Sequence, residues 1–244
     1  MFPKTSLKVL FISLLFLYDI NMMAQPELTI YTDAGKNNTS KGLFIKSATM
    51  GCYKFGKNRV GTGFQLDLKN SNNYGFSGYT INISRNLLTK RIPLELQGFF
   101  VLTRPYDLLQ ETNWGTLLKM KHKRFGMELG TNFRTYTLTK QAIKDYDSDK
   151  HSTKIHEVFN LMYSFNFFLK PTDEQWNVGL SVTNIDHYII NQETNPVFNL
   201  QGFYKLKSPV KLFAQAWYKT AGITNLNLNY FGFFLRTGII WNIN

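Results

Sequence analysis

Residues 155–170, IHEVFNLMYSFNFFLK, alternate by twos. Ile155, Phe159, Leu161, Tyr163, Phe165, Phe167 and Leu169 fall on one side, with Glu157 the exception, and His156, Val158, Asn160, Met162, Ser164, Asn166 and Phe168 fall on the other. Successive side chains of a strand point to opposite faces, so this stretch makes one aromatic, apolar face and one polar face. A helix would scatter both sets. About 15 residues is long for a strand in a soluble sheet. It suits a tilted strand that crosses a bilayer, where about 9 to 11 residues lie in hydrocarbon and the rest protrude.

What precedes this stretch points the same way. The chain opens MFPKTSLKVLFISLLFLYDINMMAQ, with Lys4 and Lys8 ahead of an apolar run from Val9 to Leu17 and a small residue at Ala24. That order is the one a secretory signal peptide has, so 1–24 reads as an export signal and 25–244 as the mature domain. No later run is apolar enough for a membrane helix, and only helices and closed barrels satisfy their backbone groups in lipid. A membrane-spanning form of this chain is therefore a barrel. The one cysteine, Cys52, cannot form an internal disulfide, which removes the disulfide-scaffold class of exported protein. The net charge is +12, and removing Lys4, Lys8 and Asp19 with the signal leaves +11. For an exported chain such a balance implies lipid phosphates or anionic solutes as partners, and not nucleic acid.

The same alternation recurs along the chain. It predicts strands over 27–33, 43–55, 60–69, 74–86, 92–102, 114–121, 125–138, 155–170, 176–185, 198–206, 210–220 and 231–243, twelve in all, with ten as the fallback if 27–33 or 114–121 fails. The segment 114–121 is the least regular, because Leu117 breaks the pattern. The connections alternate between short and long, as the periplasmic turns and outer loops of membrane barrels do. Only 70–73 is short among the long ones. Export signal, twelve segments, alternating connections and the terminal FGFFLRTGIIWNIN together resemble a small Gram-negative outer-membrane β-barrel. The resemblance covers the mature chain and implies an all-β, closed, antiparallel up-and-down barrel in the cell outer membrane, in contact with membrane lipids including lipopolysaccharide. It carries over no catalytic or binding residue, and no cofactor is expected.

Alternation assigns the inward faces. Lys46, Glu95, Arg134, His156 and Arg236 are expected to line a narrow or partly plugged lumen, the two arginines, Lys46 and Glu95 near mid-strand. Phe44, Phe203, Phe213, Trp217 and Phe234 are expected to form one apolar wall inside it. A basic lumen favours a small anionic solute, whereas charges at strand ends, or charges paired with inward acids, would only fill a closed interior. Asp145, Asp147 and Asp149 fall at every second position of the longest loop, a spacing that could offer oxygen ligands to calcium. That loop lacks the glycine and distal glutamate of an EF-hand, and a solvated loop is the default reading. His151 beside Ser152 is the one cluster to name for catalysis, yet neighbouring side chains on an extended chain point apart. Three functions stay open: a narrow channel for small, anionic solutes; a structural or accessory barrel of an envelope or secretion complex, with a periplasmic protein partner; and, least favoured, a lipid-modifying enzyme.

Overall fold

A computed structural model of the chain describes residues 25–37, 43–69, 75–87, 93–104, 109–145, 154–171, 174–186, 192–207, 209–219 and 231–243. The segment 1–24 lies outside them. The strands are β1 Gln25–Asn37, β2 Leu43–Phe55, β3 Asn58–Asp67, β4 Phe76–Leu87, β5 Leu94–Thr103, β6 Leu109–His122, β7 Phe125–Leu138, β8 Lys154–Phe168, β9 Trp176–Ile185, β10 Gln192–Lys205, β11 Val210–Lys219 and β12 Phe231–Asn242. Each pairs antiparallel with its neighbour in sequence, and β12 closes on β1 to complete a twelve-stranded barrel.

The apolar set of each strand faces out. Ile30, Phe64, Ile81, Leu96, Phe100, Leu118, Leu129, Phe165, Leu180, Leu200, Leu212 and Leu235 are all exposed. The alternate positions, such as Thr29, Gln65, Asn82, Gln97, Asn113, Ser181 and Gln215, are buried in the interior. Burying the polar set and exposing the apolar one inverts a soluble protein, and is stable only where the surroundings are hydrocarbon. Trp114, Trp176, Tyr204, Tyr218 and Trp241 are likewise exposed.

The short β2–β3 and β6–β7 hairpins lie at the end of the barrel where the Ile243 amide donates to the Pro26 carbonyl at 2.9 Å. The β2–β3 turn places Gly56 at φ 57°, a left-handed conformation that glycine adopts without a Cβ penalty. After β8 the chain turns with help from Asn177, whose carboxamide accepts from the Lys170 amide at 3.1 Å and donates to the Lys170 carbonyl at 2.8 Å.

Three local differences from the sequence reading have physical causes. The sixth strand begins at Leu109, not at residue 114, and Leu117 breaks its alternation because it points into the lumen, 1% exposed. The expected loop 139–153 opens with a single turn of helix, α1 Lys140–Asp145, started by the Thr139 hydroxyl accepting from the Ala142 amide at 3.2 Å. Between Asn132↔Asn160 and Arg134↔Glu157 the β7–β8 register slips, so that Val158 and Phe159 stand against Phe133 alone. A bulge of this kind shifts the phase of the alternation beyond it.

Candidate functional site: the barrel interior

Directly opposed residues on neighbouring strands share a face, so the register stacks the interior into rows. Arg236 on β12 stands opposite Asp33 on β1, Asp33 opposite Lys46 on β2, and Lys46 opposite Asp67 on β3. The sign of charge alternates along the row. Arg236 Nε and Nη2 donate to the two oxygens of Asp33 at 2.6 and 2.8 Å. Nη1 and Nη2 also donate to the two oxygens of Asp186, the residue after β9, at 2.6 and 2.7 Å. One guanidinium fork thus holds two carboxylates bidentately, the geometry for which its planar donors are suited. Gln65 extends the network by donating to Asp33 at 3.3 Å.

The neighbouring rows are aromatic. Towards the long loops lies Trp217–Phe234–Gly35–Phe44. The Trp217 and Phe234 rings stack at 5.5 Å, and Phe234 and Phe44 meet at 6.3 Å across Gly35. Towards the short turns lies Phe213–Gly238–Tyr31–Ala48, with the Arg236 guanidinium 4.3 Å from the Tyr31 ring centroid. The aromatic side chains expected to form one wall thus line the lumen in two groups parted by the charged row, Phe203 and Phe213 lying 6.5 Å apart on its short-turn side.

A second buried arginine sits across the barrel. Arg134 on β7 lies 3.1 Å from Glu111 on β6, donates to Asn113 at 3.2 Å and to the Tyr136 hydroxyl at 2.9 Å. Asn113 in turn donates to Glu111 at 2.7 Å and accepts from Asn132 at 2.8 Å. Tyr31, Ala48, Met50, Phe99, Val101, Leu117, Met162, Ile185 and Phe213 pack as one apolar cluster inside the barrel.

The half of the lumen towards the short turns is hollow. A cavity of about 400 Å³ is lined by Glu95, Lys119, Lys121, Glu128, Gln201 and Phe203, among others. A second, of about 360 Å³, opens at the mouth among Lys121, Glu174, Lys205 and Lys211. On the same rim Glu27 pairs with Lys54 at 3.0 Å and with Arg59 at 2.5 Å, and Arg59 Nε donates to Cys52 Sγ at 3.1 Å.

The residues named from sequence thus separate. Arg236 and Lys46 share one row, Arg134 belongs to the second cluster, and Glu95 lies near the short-turn end of β5, opposite Lys119. His156 stands opposite Thr135 in the register, beyond the β8 bulge, and its side chain is outside the described residues. So are Asp147, Asp149 and His151. Asp145 ends α1, exposed, and among the described residues no cluster of three or more His, Cys, Asp or Glu could hold a metal ion. Sequence reading missed Asp33, Glu111 and Asp186. Alternation in 27–33 puts Asp33 opposite in phase to Leu28 and Ile30, which was signal enough. Glu111 and Asp186 fell in stretches read as loops.

A closed antiparallel barrel with an apolar outer belt and a polar, ion-paired interior defines the class: this is an outer-membrane β-barrel, and its place is the outer membrane. No protein-family model matches the sequence, and no curated protein does. Solved structures do. The chain is similar to the KdgM porin, at 9% identity and a TM-score of 0.50, over 88% of this chain and 99% of that one. It is also similar to an outer-membrane channel from Pseudomonas putida F1, at 12% identity and a TM-score of 0.47, over 93% and 98%. Outer membrane phospholipase A from Escherichia coli aligns at 9% identity and a TM-score of 0.44, over 93% of each chain. At such identity the likeness is one of fold, and activity has to be argued from the interior.

Proposed function

We propose that this barrel is a gated channel for small anionic solutes. The observation that carries the reading is the hollow mouth of the lumen, where Lys121, Lys205 and Lys211 outnumber Glu174; it leads to a mid-barrel layer in which the buried guanidiniums of Arg134 and Arg236 are ion-paired with carboxylates. A basic funnel raises the local concentration of anions, and charged rings at a constriction set which sign passes. In the conformation described here, Arg236 with its two carboxylates and the apolar layer fill the constriction, so passage requires that this plug rearrange.

Planar-bilayer recording tests this directly. The wild-type barrel is expected to give brief, small, anion-preferring events, and Arg236→Ala larger and longer ones, because the plug loses its central fork. Arg134→Glu should shift the reversal potential in a salt gradient towards cations; an unchanged potential would remove Arg134 from the conducting path. Silence from both wild type and Arg236→Ala would overturn the channel reading in favour of an accessory barrel.

A further inference from the structure

Two lysines stand directly against each other at the mouth of the lumen. Lys205 on β10 is the cross-strand partner of Lys211 on β11, and both line the cavity at that mouth, into which β6 brings a third ammonium, Lys121. Elsewhere on the inner face the charges alternate. Glu95, Lys119 and Glu128 follow one another across β5, β6 and β7, as Arg236, Asp33, Lys46 and Asp67 do across the β12–β3 row. Like charges directly opposed on neighbouring strands destabilise a sheet, yet among the described residues neither Lys205 nor Lys211 forms an ion pair. Glu27, on the same rim, is taken by Lys54 and Arg59. Glu174 lines the cavity and pairs with neither lysine. The Lys211 ammonium lies 3.9 Å over the Phe203 ring, a contact that fixes its place and leaves its charge uncompensated.

The next cavity inward has a different character. It shares Lys121, Phe168 and Phe203 with the mouth, so the two adjoin, and at about 400 and about 360 Å³ each has the size of a small-molecule site. Its wall carries Glu95 and Glu128 with Lys119 between them, and the carboxamides of Gln201 and Gln215. Gln201 is 6% exposed, and its carboxamide makes no hydrogen bond to a described residue. A buried amide without a partner is costly, and the open side of this one is the cavity. Two carboxylates repel an anion but accept from hydroxyls, and a carboxamide both donates and accepts. The mouth therefore suits a negative charge, and the space behind it an uncharged, hydroxylated body.

We propose that the mouth and the cavity behind it form one binding site for a phosphorylated sugar or polyol, its phosphate between Lys205 and Lys211 and its hydroxyls against Gln201, Glu95 and Glu128. Lysine meets phosphate as a point charge, without the planar fork that arginine offers a carboxylate, and two opposed ammoniums match a dianion. The proposal rests on the channel reading only in taking the ligand for a solute that enters the lumen. Binding is measured without current, so a silent barrel and an empty site are separate results. The test is calorimetric titration of the full chain, folded in an uncharged detergent, with glucose 6-phosphate, glucose and inorganic phosphate. Glucose 6-phosphate is expected to bind more tightly than inorganic phosphate, and glucose not at all. Lys205→Gln and Lys211→Gln should each weaken glucose 6-phosphate by about tenfold, as loss of a charge-assisted contact does. Lys57→Gln, which removes the same charge from the exposed β2–β3 turn, should leave it unchanged. Gln201→Leu should bring glucose 6-phosphate down to the affinity of inorganic phosphate and leave the latter as it was. Equal wild-type affinities for the two phosphates, or an equal loss in Lys57→Gln, would overturn the site. Phosphatidylglycerol added to the micelles should not compete; competition would assign the lysines to lipid head groups and overturn it too. Without ligand, Lys211→Gln relieves the opposed charges and should not lower the urea midpoint, whereas a fall would make the lysine part of the packing and sink the proposal.

Discussion

Arg236 is 1% exposed and makes four hydrogen bonds to two carboxylates. Removing one partner of a buried ion pair strands the other, at a cost of about 3–5 kcal/mol, whereas exchanging every member for apolar groups of similar volume is often close to neutral. Arg236→Ala should therefore lower the urea midpoint of the folded barrel far more than the triple change Arg236→Met, Asp33→Leu and Asp186→Leu, each read as loss of the faster-migrating unboiled band on a gel. Equal losses would mean that the arginine fills volume and its charge is immaterial. Cys52 is a milder case: half-buried, it accepts from Arg59.

Between elements, the β1–β12 closure depends on one missing side chain. A Cβ on Gly35 would stand 2.3 Å from Cβ of Phe234 and 2.6 Å from the Phe233 carbonyl oxygen, so Gly35→Ala must push Phe234 off its stack with Trp217. Overpacking of this kind costs about 1–3 kcal/mol. Thermal unfolding should detect it, along with a shift in Trp217 emission. Gly51→Ala, where a Cβ would meet nothing within 4 Å, should leave both unchanged. The strands themselves were largely legible in the sequence, because a lipid-facing row of Leu, Phe and Ile against a row of Asn, Ser and Gln is a strong period-two signal. That signal fades where the interior is apolar too. Leu117 joins the packed layer, and in 109–113 both faces are polar, Gln110 and Thr112 against Glu111 and Asn113, so that stretch reads as loop. Bulges hide from alternation for a different reason, since the slip at Val158–Phe159 is set by the partner strand.

For the whole molecule, twelve strands enclose more space than side chains fill in an eight-stranded barrel and less than a porin channel holds, and among the described residues that space holds a packed apolar cluster and, towards the short turns, open cavities. The expectation of a partly plugged lumen came from counting large inward side chains. What counting could not supply was that Asp186 crosses the lumen to Arg236, because that contact joins segments 50 residues apart in sequence. The more distant partner, Asp33, is 203 residues from Arg236. Loop-closure entropy has to be met before such a contact returns anything, and it cannot form until the last strand meets the first. An interaction made after the transition state acts on the rate of escape and hardly on the rate of formation. Arg236→Ala should accordingly fold into vesicles at close to the wild-type rate and unfold about a hundredfold faster or more, measured by timing the appearance of the slower-migrating form in urea. The fork between the first and last strands thus works as a clock on the lifetime of the finished barrel.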